Sequence, residues 1–378
     1  MLKKQMISLV TCSLLGWNTY ANAADMDAEF EKFKQASRSE FQAFQQQNER
    51  EFAQFVKQWK DAELSFKNEI SQHWPDAKLP DQQHWIEYSD DRLQRLIIDY
   101  ENNQIELELL NHQLSDQQGI ELMRQRIEQL SKKTVYEAAK NDPIHINAGV
   151  SFEQHSFNAM QTLLSRNEAA ESKKAQPQIQ RAGKKTSITI KLPAGTTHKR
   201  AQEFVEPAAR HASEYGLPTE LVLAVIHTES SFNPMARSHI PAFGLMQIVP
   251  QSAGKDITEY LTGRAYLFTP QQLYSSENNI KAGSVYLHLL NSRYFKKVTN
   301  DHNRLLMSIA AYNTGPGNVS RALTGTTSLD AAARKANSMT PEQVYQRLLQ
   351  HLPYAETKNY LKKVTERQHS YAKYMESQ

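Results

Sequence analysis

The sequence predicts an α+β protein in which a small helix-and-hairpin N-terminal domain precedes a mainly α domain. Three observations carry this: a phenylalanine pair recurs every eleven residues near the start, two β-prone runs flank a polar tetrapeptide near residue 102, and helical patterns follow one another from Thr197 onward. A chain of 378 residues allows about two domains and a sizeable buried core. With 39% hydrophobic and 22% charged residues and a mean hydropathy of -0.65, it is not a polytopic membrane protein. The formal charge of +3 is too small to argue for nucleic acid or a membrane surface. Its distribution is uneven, with the excess of acid before residue 195 and the excess of base after it. A mildly cationic second half suits an anionic polymer, and an ordinary solvated surface gives the same count.

Residues 1–23 have the build of a cleaved export signal. Lys3 and Lys4 form a positive start, Met6 to Trp17 is mostly apolar, and Ala21-Asn22-Ala23 is an A-x-A cleavage site. The single cysteine, Cys12, lies within that segment, so the processed chain would hold no thiol for disulfides, metal or nucleophilic chemistry. A lipid anchor at Cys12 would require cleavage within Leu9-Val10-Thr11-Cys12. Thr beside the cysteine and the short apolar run ahead of it favour a soluble exported protein.

The N-terminal accessory domain is expected over residues 24–195. Glu29-Phe30-x-x-Phe33, Glu40-Phe41-x-x-Phe44 and Glu51-Phe52-x-x-Phe55 repeat every eleven residues, with Phe66 in register. Eleven residues in three turns, about 3.67 per turn, keep such a stripe on one face of a long helix, placed at about 28–72. The stripe must pack against its own domain, a second copy or a membrane surface. The Glu- and Gln-rich opposite face argues against the membrane. Pro75 and Pro80 end the helix, and Leu93 to Tyr100 with Ile105 to Leu110 read as a hairpin about Glu101-Asn102-Asn103-Gln104. Helical patterns are expected from about Ser115 to Lys140 and Ser151 to Ala170, a polar linker over Glu171 to Lys185, and a further strand over Ser187 to Leu192 that joins the hairpin.

The second domain, residues 196–378, is punctuated by Gly216-Leu217-Pro218, Asn233-Pro234, Gly315-Pro316-Gly317 and Leu352-Pro353. Thr340-Pro341-Glu342-Gln343 spells a capped helix start. Leu221 to Ile226 are six apolar residues in a row, the mark of a helix buried around most of its circumference. Glu229 ends it, on the face of Leu221 and Val225. A carboxyl desolvated there stays protonated near neutral pH and can serve as a general acid; a Glu swung into solvent or bound to a structural partner is the competing reading.

Around Glu229-Ser230-Ser231-Phe232-Asn233-Pro234 stand, in order, Gly244-Leu245-Met246-Gln247-Ile248, Asn279-Ile280-Lys281-Ala282-Gly283, Ala311-Tyr312-Asn313-Thr314-Gly315 and Glu356-Thr357-x-x-Tyr360. Together they resemble the family 1 lytic transglycosylases, whose lysozyme-like catalytic domain cleaves peptidoglycan. The likeness extends to a membrane-bound type of that family through Ser252-Ala253-Gly254-Lys255-Asp256, Met339-Thr340-Pro341-x-x-Val344-Tyr345 and Trp85-x-x-Tyr88. That type is usually lipid-anchored to the outer membrane, and the missing good lipobox departs from it.

The resemblance implies roles. Glu229 matches the catalytic acid/base, and Ser238 a serine that hydrogen-bonds near the reacting sugar. Gly244, Met246 and Gln247 match a groove turn that contacts the glycan, and Tyr312 and Asn313 match the A-Y-N motif that positions Glu229 or substrate. Glu356 and Tyr360 match a late helix that lines the cleft. For Met246 a core role, for Tyr312 helix-end packing, and for Glu356 and Tyr360 a supporting role stand beside these. The implied partners are peptidoglycan glycan strands, with peripheral or lipid-anchored outer-membrane association open; no cofactor and no metal are expected. Among 13 histidines none sits in an H-E-x-x-H pattern, and His227 reads as a packed side chain. A goose-type lysozyme hydrolase and a non-catalytic murein-binding protein are the alternatives to a transglycosylase.

Overall fold

The computed structural model describes residues 23–111, 114–239 and 241–377. The expected export signal, up to residue 22 and including Cys12, lies outside the described residues. Contacts divide the chain into residues 1–48 and residues 49–378. The first unit contributes the start of α1 (Ala23–Ser71), and the second holds everything that positions the site.

The stripe on α1 is described from residue 52 onward. Phe52, Trp59, Ala62, Phe66 and Ile70 are buried at spacings of three, four or seven, so this stretch of the stripe packs within its own chain. The Trp59 ring meets Phe243 edge-on at 5.2 Å and Phe66 meets Tyr88 at 6.0 Å. The helix stops at Ser71, ahead of Pro75 as expected, and Trp74 anchors its end by donating Nε1–H to the Arg92 carbonyl at 2.7 Å.

A five-stranded antiparallel sheet follows, in the order β1-β2-β3-β5-β4. It comprises β1 (His84–Tyr88), β2 (Gln94–Asp99), β3 (Gln104–Leu110), β4 (Gln178–Ala182) and β5 (Lys185–Lys191). The hairpin and the returning strand are where the sequence places them. The register sets Leu96 opposite Leu107, Ile98 opposite Ile105 and Leu107 opposite Ile188, giving one apolar face. Between the strands run α2 (Asp116–Lys132), α3 (Val135–Asn141), α4 (Pro143–Asn147) and α5 (Arg166–Lys174). α2 covers the apolar face so closely that a Cβ on Gly119 would lie 2.7 Å from Ile188.

Three expectations are corrected here. Ser115 to Lys140 is two helices, because Thr134 caps a new start with Glu137 reaching back to it. Ser151 to Ala170 is α-helical only from Arg166, with a single 3-10 turn at Gln154–Ser156 before it; between them, Asn158 takes the Met160 amide on its side chain, a local bond that competes with helix formation. The linker over Glu171 to Lys185 is instead the end of α5 and strand β4, joined to β5 by a two-residue turn with Gly183 at φ 61. Strand β1 is a further addition.

The remainder is helical: α6 (Thr196–Glu214), α7 (Thr219–Ser230), α8 (Lys255–Thr262), α9 (Pro270–Tyr274), α10 (Ser276–Leu289), α11 (Asp301–Thr314), α12 (Pro316–Thr324), α13 (Leu329–Asn337), α14 (Pro341–His351) and α15 (Ala355–Glu376). α6, α10 and α15 pack around α7, whose Leu221 to Ile226 are all buried. The α14 start is the expected capping box on Thr340 and Gln343.

On the sheet's opposite face Arg95 is fully buried, donating to Glu108 at 2.5 Å and Asp76 at 2.8 Å, with Lys185 on the other Glu108 oxygen at 2.8 Å. Removing Glu108 leaves the buried guanidinium with one carboxylate partner, the exposed Asp76. Glu108→Ala is therefore expected to lower stability by about 3 kcal/mol in urea unfolding, far beyond the loss from an exposed pair such as Glu128 and Lys132.

Candidate active site

Helix α7 delivers Glu229 to its last turn, only 9% exposed. Burial pushes the Glu229 carboxyl up to about 8; the Tyr360 phenol opposes the shift, and the charge of Glu356 adds to it. The Tyr360 hydroxyl is itself buried and, without a fully formed hydrogen bond, faces this carboxyl. Tyr312 also lies within electrostatic reach of the carboxyl. Burial and the neighbouring Glu229 charge keep both phenols protonated far above neutral pH.

The chain leaves α7 through Ser231 and Phe232, both left-handed, at φ 51 and 64. Two such non-glycine residues in succession cost on the order of 1 kcal/mol each. They turn the chain sharply, so that Asn233 reaches the Asp81 and Gln82 carbonyls and Ser238 follows half-buried, its hydroxyl accepting from the Ala242 amide at 3.3 Å.

The 243–248 turn is a packed support. Gly244, at φ 76, has no room for a Cβ, which would lie 2.2 Å from the Leu273 carbonyl; the close approach is to protein. Asn279, fully buried at the start of α10, takes the Met246 amide at 2.7 Å and donates to the Phe243 and Leu273 carbonyls at 2.8 Å each. Met246 takes the core place that stood beside its groove role. Its side chain is buried on Gly283, where a Cβ would come 2.2 Å from the sulfur, and its backbone carbonyl accepts the Tyr312 hydroxyl at 2.9 Å. Gln247, left-handed at φ 49, donates to the Gly244 carbonyl and holds a buried amide oxygen with no partner.

Asn313 accepts from Thr357 at 2.7 Å, tying α11 to the first turn of α15. Glu356 beside it is exposed. The structure thus brings Glu229, Tyr312, Tyr360 and Glu356 into one electrostatic neighbourhood, with Gly244, Met246 and Asn313 as its frame. Sequence reasoning gave no role to Asn279 or Thr357, although both lie in its motifs.

His227 packs between Phe232 and Tyr371, its Nδ1 3.1 Å from the Tyr371 hydroxyl. Burial, with Arg367 nearby, lowers its pKa to about 3 and keeps it neutral. Among the described residues no group of three or more His, Cys, Asp or Glu is placed to hold a metal ion.

Residues 206–334 match the family model described as Transglycosylase SLT domain. A membrane-bound lytic murein transglycosylase C of Klebsiella pneumoniae (strain 342) is 42% identical over 190 residues, which cover 49% of this chain and 51% of the relative. The protein of the same name from Sodalis glossinidius (strain morsitans) is 40% identical over 190 residues, with the same coverage. The chain spans about half the length of the curated relatives it matches. Among solved structures, the 70 kDa soluble lytic transglycosylase of Escherichia coli is 25% identical with a TM-score of 0.35, covering 45% of this chain and 24% of that one. The resemblance read from the motifs is borne out by the family model and the curated relatives.

A carboxyl held protonated by folding has a stability cost of definite sign. Between its ordinary pKa of 4.5 and about 8, the unfolded chain releases a proton that the native chain retains, so stability falls as pH rises across that window. Glu229→Gln removes the cost. The variant is expected to melt with wild type at pH 4 and to be more stable by about 4 kcal/mol at pH 8, read by thermal unfolding.

Proposed function

We propose that the protein is a peptidoglycan lytic transglycosylase, cleaving the β-1,4 bond between N-acetylmuramic acid and N-acetylglucosamine in cell-wall turnover or remodelling. The observation that carries this reading is a buried carboxyl, Glu229, kept protonated at neutral pH beside two phenols. Such a group donates its proton to the glycosidic oxygen as the bond breaks. Retaining hydrolases pair the acid with a second carboxylate as nucleophile. Here the neighbouring carboxylate, Glu356, is exposed at the start of α15. The substrate's own N-acetyl group takes the nucleophile's part in stabilising the cationic sugar.

Having given up its proton, Glu229 is the base that removes the muramic C6 hydroxyl proton. That oxygen attacks C1, a 1,6-anhydro ring forms, and no water is consumed. Burial favours the reprotonated acid, so the second transfer restores the resting state. Tyr312, its hydroxyl committed to the Met246 carbonyl, is a fixed wall, whereas the Tyr360 hydroxyl is free to follow the carboxyl between its charged and neutral forms. Ser238, Gln247, Asn313 and Glu356 complete the glycan-binding set in this reading.

The proposal extends to location. An exported, periplasmic enzyme fits the N-terminal sequence, with accessory residues 24–195 preceding a catalytic part at 196–378. Among the described residues no helix is long and apolar enough to cross a membrane.

Mass spectrometry of digested peptidoglycan is expected to show 1,6-anhydromuramic ends; reducing ends alone would make the protein a goose-type hydrolase, and binding without cleavage a murein-binding protein. Glu229→Gln is expected to lose about 10²–10⁴-fold in kcat. Since the first step needs the protonated acid, kcat/KM is expected to fall as pH rises through about 8.

A further inference from the structure

We propose that Glu101, at the tip of the β2–β3 hairpin, is a positioning residue for Glu229: it ties the end of α7 to α15 and so fixes the spacing at which the Glu229 carboxyl meets Tyr360. The inference rests on the reading of Glu229 as the acid/base.

Each oxygen of Glu101 serves a different helix. Oε2 accepts the Ser231 hydroxyl, two residues beyond Glu229. Oε1 accepts from Arg367 at 2.8 Å and Lys363 at 3.2 Å, one turn apart on α15. Arg367 closes the loop by donating to the His227 carbonyl at 2.8 Å, in the last turn of α7. A single carboxylate thereby sets α7 and α15 against each other within two turns of the place where Glu229 and Tyr360 meet. Burial alone would raise the pKa of Glu101, but the Ser231 hydroxyl and the charges of Arg367 and Lys363 hold it at about 2, so the tie keeps its charge throughout the working pH range.

The hairpin tip is itself fixed to the same turn. Arg200 of α6 donates to the Tyr100 carbonyl and the Ser231 carbonyl at 3.0 Å each, to Asn103 Oδ1 at 3.1 Å, and to Glu168 at 2.8 Å. Ser231 is thus gripped by its backbone from Arg200 and by its side chain from Glu101. This is the left-handed residue whose conformation determines where α7 stops and how its last turn is presented. Contacts made by the accessory sheet therefore act through Ser231 and Arg367 upon the acid.

The test uses the full chain carrying Glu101→Ala, Glu101→Gln or, as a buried carboxylate of the same sheet that touches neither helix, Glu108→Gln. Carbon-13 NMR titration follows the Glu229 carboxyl, identified as the signal missing in Glu229→Gln, and kcat and KM are measured on purified glycan strands. In Glu101→Ala, looser packing admits water: the Glu229 midpoint is expected to fall by about half a pH unit or more. kcat should drop about 10- to 100-fold, with KM changed less than about twofold. Glu101→Gln, which keeps an acceptor for Ser231, loses less, and Glu108→Gln lowers Tm while both readouts per folded molecule stay at wild type.

The proposal is overturned if midpoint and kcat are unchanged in folded Glu101→Ala, or if Glu108→Gln changes them equally. Should Glu101→Ala fail to fold, Ser231→Ala, which removes one hydroxyl, must shift the midpoint in the same direction or the proposal fails. A midpoint that shifts in a protein that cuts no glycan upholds the positioning role and rejects the acid/base reading.

Discussion

The site depends on withholding water from one carboxyl. Leu221 to Ile226 bury α7 on all sides, so its last turn arrives in an apolar setting and the Glu229 proton is held by desolvation. The surrounding features manage that condition. Tyr312 and Tyr360 supply polar contact without mobile charge, Glu356 opposes ionisation from the surface, and the Gly244, Gly283 and Asn279 support leaves the 243–248 turn no slack. A carboxyl reached freely by solvent would be an ordinary anion at neutral pH, unable to give a proton to a glycosidic oxygen.

The parts of this architecture that could be read in the sequence are those with locally complete signals. Helix α7 shows itself as six aliphatics, the β2–β3 hairpin as two β-prone runs about a polar turn, and α14 as a capping box. Strand β4 was illegible because Gln178–Ala182 contains one large aliphatic and lies exposed; β5 makes it a strand by offering a hydrogen-bonding edge. The stretch before α5 read as helix because composition does not reveal that Asn158 spends its side chain on the Met160 amide.

The candidate site divides in the same way. Glu229, Tyr312 and Tyr360 could be named because their motifs are compact, and they converge. Met246 could not be assigned from its motif, since whether a methionine lines a groove or fills a core is decided by Gly283, far along the chain. The Glu101, Arg200 and Ser231 cluster draws on three segments separated by 31 to 130 residues, each polar and unremarkable alone. Long-range polar pairing leaves no periodicity to detect.

The arrangement around Arg200 bears on modularity. Its guanidinium is interior, and all but one of its acceptors come from residues before the helical half: Tyr100, Asn103 and Glu168, against the lone Ser231 carbonyl. Excised from the sheet, that half would retain an interior cation stripped of its counter-charge. The helical half is thus not a transplantable cartridge in this chain; its seam runs through a shared charge network, and shuffling it onto another scaffold would require that scaffold to bring its own anion.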